Sequence, residues 1–448
     1  MGQPGTRLRR GTTWRNFGRN QSAVPAAWER PTTEDELVDV VHRAAAEGHT
    51  VKAVGAGHSY SAIACTDGHL VDLSGYDGVR AVETATGRVT VEAGITLRRL
   101  NEELHLRGLA LPVLGDIDYQ TIAGATATGT HGPGIGHRTI SDGIVGMRLV
   151  TGDGTVIAAG ADSSDPDERD VWDVGRVGLG ALGLVSTVTL RTVPAFDLHA
   201  VEEPVPMARF LAEADELVDA NDHLGLFWFP GSDTALVKRS NRTDEPRRPR
   251  SRRVAWTSDL LMDNVAFGLA CRAARRVPAV ARSIVAGAAQ KERVDWIDRS
   301  DRVFRTPRLV RVVEMEYGIP REAFGEAFAR LGRLVDAVGT PITVPVEIRW
   351  TGGDDVPLSH ASGRDTAYIA VHVYQGTPYD QYFQGVEAIM GSYGGRPHWG
   401  KLHFQSAETL APRYPGWERF RAVRRRTDPD GRFRNPYLDR VLGPASSP

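Results

Sequence analysis

The sequence predicts an α+β protein of two domains. A chain of 448 residues is long for one hydrophobic core. Short apolar strands and amphipathic helices follow one another through the first 190 residues, and the pattern changes character after Pro194. The expected division is 14–194, 195–395 and a closing segment 396–448.

Thr33 and Glu36 form a capping-box signature, and Leu37, Val40, Val41 and Ala44 recur at helical spacing until Gly48 closes the helix. Residues 50–54 read as a buried strand that runs into Gly55-Ala56-Gly57-His58-Ser59. Further strands are expected at 69–73 and 88–93, then a helix on Leu97, Leu100 and Leu104 that ends at Gly108. Residues 122–136 form a second glycine-dense loop, and a hairpin turns at Gly152-Asp153-Gly154. The last strand of this half spans 182–193.

Past Pro194 the expectations are a helix over 207–220, a strand over 224–229 and a basic, proline-containing loop over 238–253. That loop sets eight Lys or Arg against Asp244 and Glu245, and no aromatic residue interleaves, so it predicts a solvated segment and not a nucleic-acid patch. Residues 260–290 are expected to be helical, with a membrane-surface role the minor reading. Strands at 309–317, 344–350 and 368–374, with a helix over 321–338 carrying Phe324, Phe328, Leu331 and Val335, predict a sheet with helices on one face.

Composition narrows the function. With 41% hydrophobic and 25% charged residues, a net charge of −2 and a pI near 6.7, nothing calls for nucleic acid or an anionic membrane. A neutral, polar small molecule fits better. Cys65 and Cys271 are far apart and lack metal-ligand spacing, so neither a disulfide framework nor a zinc cluster is indicated, and the cytoplasm is the expected compartment. Arg7, Arg9 and Arg10 lead into no apolar stretch, which argues against a secretory signal. The most apolar window, 260–271, is shorter than the roughly 20 residues of a spanning helix; membrane association is not indicated.

The turn at 55–59 offers successive amides unobstructed by Cβ atoms, which suits a pyrophosphate. A nicotinamide-type loop would need a third glycine where Tyr60 stands, followed by a helix. A purely structural turn is the other reading.

The runs Val54-Gly55-Ala56-Gly57-His58-Ser59, Gly124-Ala125-Thr126-Ala127-Thr128-Gly129-Thr130-His131-Gly132 and His398-Trp399-Gly400-Lys401 together resemble the aldonolactone oxidoreductases, in the vanillyl-alcohol oxidase group of FAD enzymes. Val313-Glu314-Met315-Glu316-Tyr317, Glu347-Ile348-Arg349-Trp350, Asp428-Pro429-Asp430-Gly431 and Asn435-Pro436-Tyr437-Leu438 extend the likeness across residues 14–443.

The resemblance implies a PCMH-type FAD-binding domain, then a substrate (cap) domain, with the closing segment completing the active site. It implies that Val54, Gly55, Ala56, Gly57, His58, Ser59, Thr121, Thr126, Gly129, Thr130, His131, Gly132 and Val185 bind FAD, and that His58 carries it covalently through the flavin 8α-methyl carbon. It places Glu347, Arg349, His372 and Lys401 in catalysis, and Thr121, Glu347, Arg349, Tyr374 and Lys401 at the substrate. His372 is the expected general base, and Lys401 or Arg349 the cation that stabilises the reduced flavin.

Strand periodicity bears on the same residues independently. Glu347 and Arg349 share a face at strand spacing, as do His372 and Tyr374, and Lys401 and His403. A structural salt bridge between Glu347 and Arg349 is the competing reading. A metal site from His372, His398 and His403 is not expected, since their spacing matches no ligand motif. The expected activity is oxidation of L-gulono-, L-galactono- or D-arabinono-1,4-lactone, with oxygen or a redox carrier as acceptor. An alditol oxidase is the enzymatic rival, and a noncatalytic carbohydrate- or nucleic-acid-binding protein the rival from another class.

Overall fold

The computed structural model describes residues 12–251, 264, 266–277, 292–306, 308–340 and 342–445. Arg7, Arg9 and Arg10, and most of the helix expected over 260–290, lie outside these residues; Phe267–Arg276 of that expectation is helical. Among the described residues no helix is long and apolar enough to cross a membrane.

The amino-terminal half holds two main sheets, with two short two-stranded pairs beside them among the described residues. In a parallel sheet of three strands, His69–Asp72 lies between Ala27–Glu29 and Val51–Val54. The helix Glu34–Ala46 covers it with Leu37, Val40, Val41 and Ala44, the residues the periodicity selected. Thr33 accepts a hydrogen bond from the Glu36 amide, and the Glu36 carboxylate accepts one from Thr32 N at 2.6 Å, so the start of the helix is capped from both directions. The second sheet is antiparallel, in the order Val156–Gly160, Ile144–Val150, Leu184–Arg191, Arg88–Glu92, Val79–Glu83.

The carboxy-terminal half is built on one antiparallel sheet of eight strands. Its order is Val294–Arg299, Asp197–Pro206, Thr234–Thr243, His223–Trp228, Val346–Thr351, Thr366–Tyr374, Val312–Pro320 and Arg396–Pro397. Side-chain alternation sorts it into two faces. Leu226, Ile348, Trp350, Ile369, Val371, Met315 and Tyr317 turn one way and bury against Phe210, Phe328 and Phe383 of three helices. Glu314, Glu316, Glu347, Arg349, Tyr368 and His372 turn the other way, toward the amino-terminal half.

After Arg396–Pro397 the closing segment leaves this sheet. Trp399, Trp417, Phe420, Tyr437 and Leu438 enter the core of the amino-terminal half. Asn435 Nδ2 donates to the carbonyls of Ala62, Ile63 and Cys65, tying the tail to the chain just after the first glycine loop.

Three expectations are corrected. Residues 238–243 are not loop: they belong to Thr234–Thr243, which pairs with strands on both sides, and Lys238 and Arg239 stand beside Glu202 and Glu203. The first six residues of the second glycine loop are a helix, Ile122–Ala127, because Thr121 caps it by accepting from Gly124 N. Lys401 and His403 lie in no strand; Lys401 is in a turn closed by its amide on the His398 carbonyl.

Candidate active site

The strand Val51–Val54 delivers residues 55–59 to the rim of a cleft that encloses about 1220 Å³, its open mouth included. Val54 to Ser59, Thr121, Thr126 and Val185 line it. From Ala56 to Ser59 no main-chain N–H donates to another described residue. Four successive amides therefore face an acceptor the chain does not supply, as an anion nest requires. Gly57 takes φ +69°, which a side chain would resist. A Cβ on Gly55 would stand 2.3 Å from Thr121 Oγ1, so the two glycine-rich segments approach as closely as they do only because Gly55 lacks one.

The residues fit FAD: free amides at one end, and an apolar wall including Ile144, Met147 and Leu149 deeper in. His58 also lines the cleft, its ring stacked on Phe17 at 4.7 Å and on Tyr119 at 6.3 Å. Burial, reinforced by Lys401, pushes its pKa down to about 4, so the imidazole is neutral at pH 7. Lys52, at the base of the cleft, donates to the carbonyls of Gly180 and Phe433; burial and Arg424 bring its pKa down to about 7.

The polar face of the long sheet is ordered by register. Glu314 stands opposite His372; Glu316, Ala370, Glu347 and Phe227 form one row, and Gly318, Tyr368, Arg349 and Gly225 the next. Small residues in the rows leave room between the charged ones. Arg349 donates through Nε to Glu347 at 2.8 Å and also contacts it through Nη2, which lies 2.7 Å from Asp116. Arg308 joins Asp116 at 2.6 Å and Glu347 at 3.4 Å. Burial would raise the Asp116 pKa, but Arg349 and Arg308 hold it well below the carboxylate range.

Beside this square of charges, Lys401 Nζ lies 2.5 Å from Glu314 and 5.3 Å from the centre of the Tyr60 ring. His372 Nε2 is 3.4 Å from the same carboxylate, while His372 Nδ1 donates to the Pro345 carbonyl at 2.9 Å. A carbonyl can only accept, so Nδ1 carries hydrogen and Nε2 is the atom left for proton exchange. Burial opposes ionisation of Glu314, yet Lys401 and His372 draw its pKa down to about 2. Tyr60 N donates to the Gly400 carbonyl at 2.6 Å and Ser61 Oγ to the Trp399 carbonyl at 2.9 Å, which ties the first glycine loop to the turn that carries Lys401.

The structure thus brings Glu347, Arg349, His372 and Lys401 onto one face. Tyr374 follows His372 on that face, half-buried and opposite Val312. Thr121 lies in the cleft as a helix cap. Gly129, Thr130, His131 and Gly132 pack on the polar sheet face and not along the cleft: His131 stacks on Tyr368 at 3.5 Å and meets Glu316 at 3.0 Å, and Gly129 abuts His360. His372, His398 and His403 have separate partners, namely Glu314, the Gly400 amide and the Tyr437 hydroxyl. Asp116, Arg308 and the role of Glu314 escaped sequence reasoning. Glu314 and Glu316 alternate in an apolar strand as Glu347 and Arg349 do, a signal that was present; Asp116 and Arg308 sit in irregular segments and gave none.

Residues 25–160 match the FAD binding domain family and residues 188–441 the D-arabinono-1,4-lactone oxidase family. The chain is 46% identical to L-gulono-1,4-lactone dehydrogenase of Mycobacterium tuberculosis, over 96% of this chain and 99% of that one. It is 31% identical to L-gulonolactone oxidase of Bos taurus, over 97% and 99%. Alditol oxidase of a Streptomyces species is 30% identical over 95% and 98%. A crystal structure of cholesterol oxidase from B. sterolicum superposes with a TM-score of 0.79 at 17% identity, covering 98% of this chain and 97% of that one, a likeness of fold.

Proposed function

The chain belongs to the D-arabinono-1,4-lactone oxidase family of FAD-dependent aldonolactone oxidoreductases, and from that premise we propose that the polar sheet face binds an aldono-1,4-lactone for oxidation at a hydroxyl-bearing carbon. The observation that supports this most directly is the convergence of Glu347, Arg349, His372, Glu314 and Lys401 on one buried face beside the glycine-loop cleft.

When bound, FAD supplies the two-electron acceptor for a hydride leaving carbon. The side chains supply the rest. Glu347 accepts hydrogen bonds from lactone hydroxyls and Arg349 donates to lactone oxygens. The link through Asp116 to Arg308 fixes both rotamers and keeps the group close to electrically balanced, which suits a neutral, hydroxyl-rich ligand. The proton of the reacting hydroxyl is taken at His372 Nε2, and the Glu314 carboxylate stabilises the imidazolium that results. Lys401 provides fixed positive charge at the end of the cleft nearest His58. His58, neutral and stacked between two rings, serves as the covalent anchor for the flavin. The acceptor that reoxidises the enzyme is oxygen or another redox carrier.

Anaerobic mixing of the yellow protein with L-gulono-1,4-lactone tests the reading, with xylitol as comparison. Bleaching by the lactone at a rate well above that with xylitol is expected. Faster bleaching by xylitol, or none with either compound, would overturn it.

A further inference from the structure

A second cluster of titratable side chains lies away from the active site, where the helix Glu34–Ala46 ends against the parallel sheet. Gly48 takes φ +69° and reverses the chain after the helix, with Gly48 N donating to the Ala45 carbonyl and His49 N to the Ala44 carbonyl. The reversal turns Glu47 and His49 to the same side, over His69 at the head of the strand His69–Asp72. Glu47 Oε2 is 3.0 Å from His69 Nε2 and 3.4 Å from His49 Nδ1, and the three donor atoms all lie within 4.8 Å of one another. Four ligands set tetrahedrally at the usual zinc bond length of about 2.0 Å stand roughly 3.3 Å apart, close to these separations.

The surroundings are those of a metal ligand. His69 is fully buried, and its other nitrogen, Nδ1, lies 3.2 Å from Glu29 Oε1. Glu29 in turn receives Arg43 Nη2 at 3.1 Å. Both nitrogens of one imidazole thus face carboxylates, while a neutral ring has a single hydrogen to donate. A cation in place of the hydrogen on the Glu47 side resolves the mismatch, and the Glu29 carboxylate then orients the liganding ring, the usual outer partner of a metal-bound histidine. Arg432 Nη1 donates to the His49 carbonyl at 2.8 Å and fixes the loop from behind. Glu47 and His49 keep about a third of their side-chain surface in solvent, so an ion can enter and a water can complete the shell.

We propose that Glu47, His49 and His69 form a binding site for a divalent transition-metal ion, zinc most simply, which clamps the end of the first helix to the parallel sheet. The imidazole and carboxylate donors and small coordination shell favour zinc over magnesium or calcium.

Calorimetric titration of the chelator-stripped flavoprotein with Zn²⁺ tests this, alongside Glu29→Gln and the double variant Glu47→Gln/His49→Ala. The double variant changes two partly exposed side chains at a helix end and leaves His69 and the active site intact. The wild type is expected to bind one equivalent and to gain in thermal midpoint with Zn²⁺. The double variant should lose at least about 100-fold in affinity together with that gain, and Glu29→Gln about 10- to 100-fold. A wild type that binds no Zn²⁺, or a double variant that binds it as tightly, would overturn the proposal.

Discussion

Glu314 and Lys401 form an ion pair of 2.5 Å that joins the long sheet to the turn anchored on the first glycine loop. The same carboxylate faces His372, so one buried side chain couples the candidate base to the candidate cation. We expect Glu314→Gln to lower kcat about 100-fold, the lower end of what acid–base assistance contributes, with KM for the lactone changed far less. The acid limb of the kcat–pH profile should shift, and Glu314→Asp should recover part of the rate. Steady-state kinetics across pH would show it; a rise in KM alone, with kcat intact, would remove Glu314 from this role.

His58 lines the cleft as a neutral imidazole between Phe17 and Tyr119. Acid precipitation of the wild type should leave the yellow colour in the pellet, and His58→Ala should release it to the supernatant. Equal retention by both proteins would remove His58 as the anchor.

Gly55→Ala would drive a methyl group to 2.3 Å from Thr121 Oγ1. The expected results are a loss of about 1–3 kcal/mol in stability and a lower ratio of flavin to protein absorbance. Thr121→Ala in the same chain should relieve much of the clash, at the cost of a helix cap worth about 1 kcal/mol. Normal flavin content in Gly55→Ala would show that the two segments can separate freely.

Stability should fall as the pH drops from neutral, before the carboxylates titrate. Burial pushes His398 and His403 down to about 3, against about 6.5 for an unfolded histidine. The unfolded chain therefore takes up these protons first, so this contribution is complete above pH 6.5 and is lost as pH falls toward 3, by at most about 1.4 kcal/mol per pH unit for each group. Glu314, drawn down to about 2, adds a loss in the same direction, but only below about pH 4.5. Thermal midpoints measured from pH 7.5 to 4.5 should decline steadily, and less steeply in His403→Gln. A flat profile over that range would count against the burial argument.

Much of the fold was legible in the sequence because it depends on local rules. The Thr33 cap, the Leu37–Ala44 stripe, the Gly48 stop and the alternation of Glu347 with Arg349 each follow from backbone geometry acting within a few residues. The two glycine segments were legible from composition, and the resemblance singled out Lys401 without its turn. Distant pairing overturned one assignment: residues 238–243 became strand because neighbours far along the chain offered hydrogen bonds on both sides. A local signal was missed in another, where Thr121 caps the helix Ile122–Ala127.

The sequence by itself determined most of the helices, strands and tight turns, among them a glycine-rich turn after Val51–Val54 and an acidic and a basic side chain sharing one face of Val346–Thr351. Only the tertiary structure decided their partners. Arg349 lies against Asp116, more than 200 positions away, and Lys401 against Glu314, because burial of one apolar sheet face under helices presses the other face onto the glycine loops. Charges enclosed there must find counter-charges wherever the chain brings them, and no local spacing records that choice.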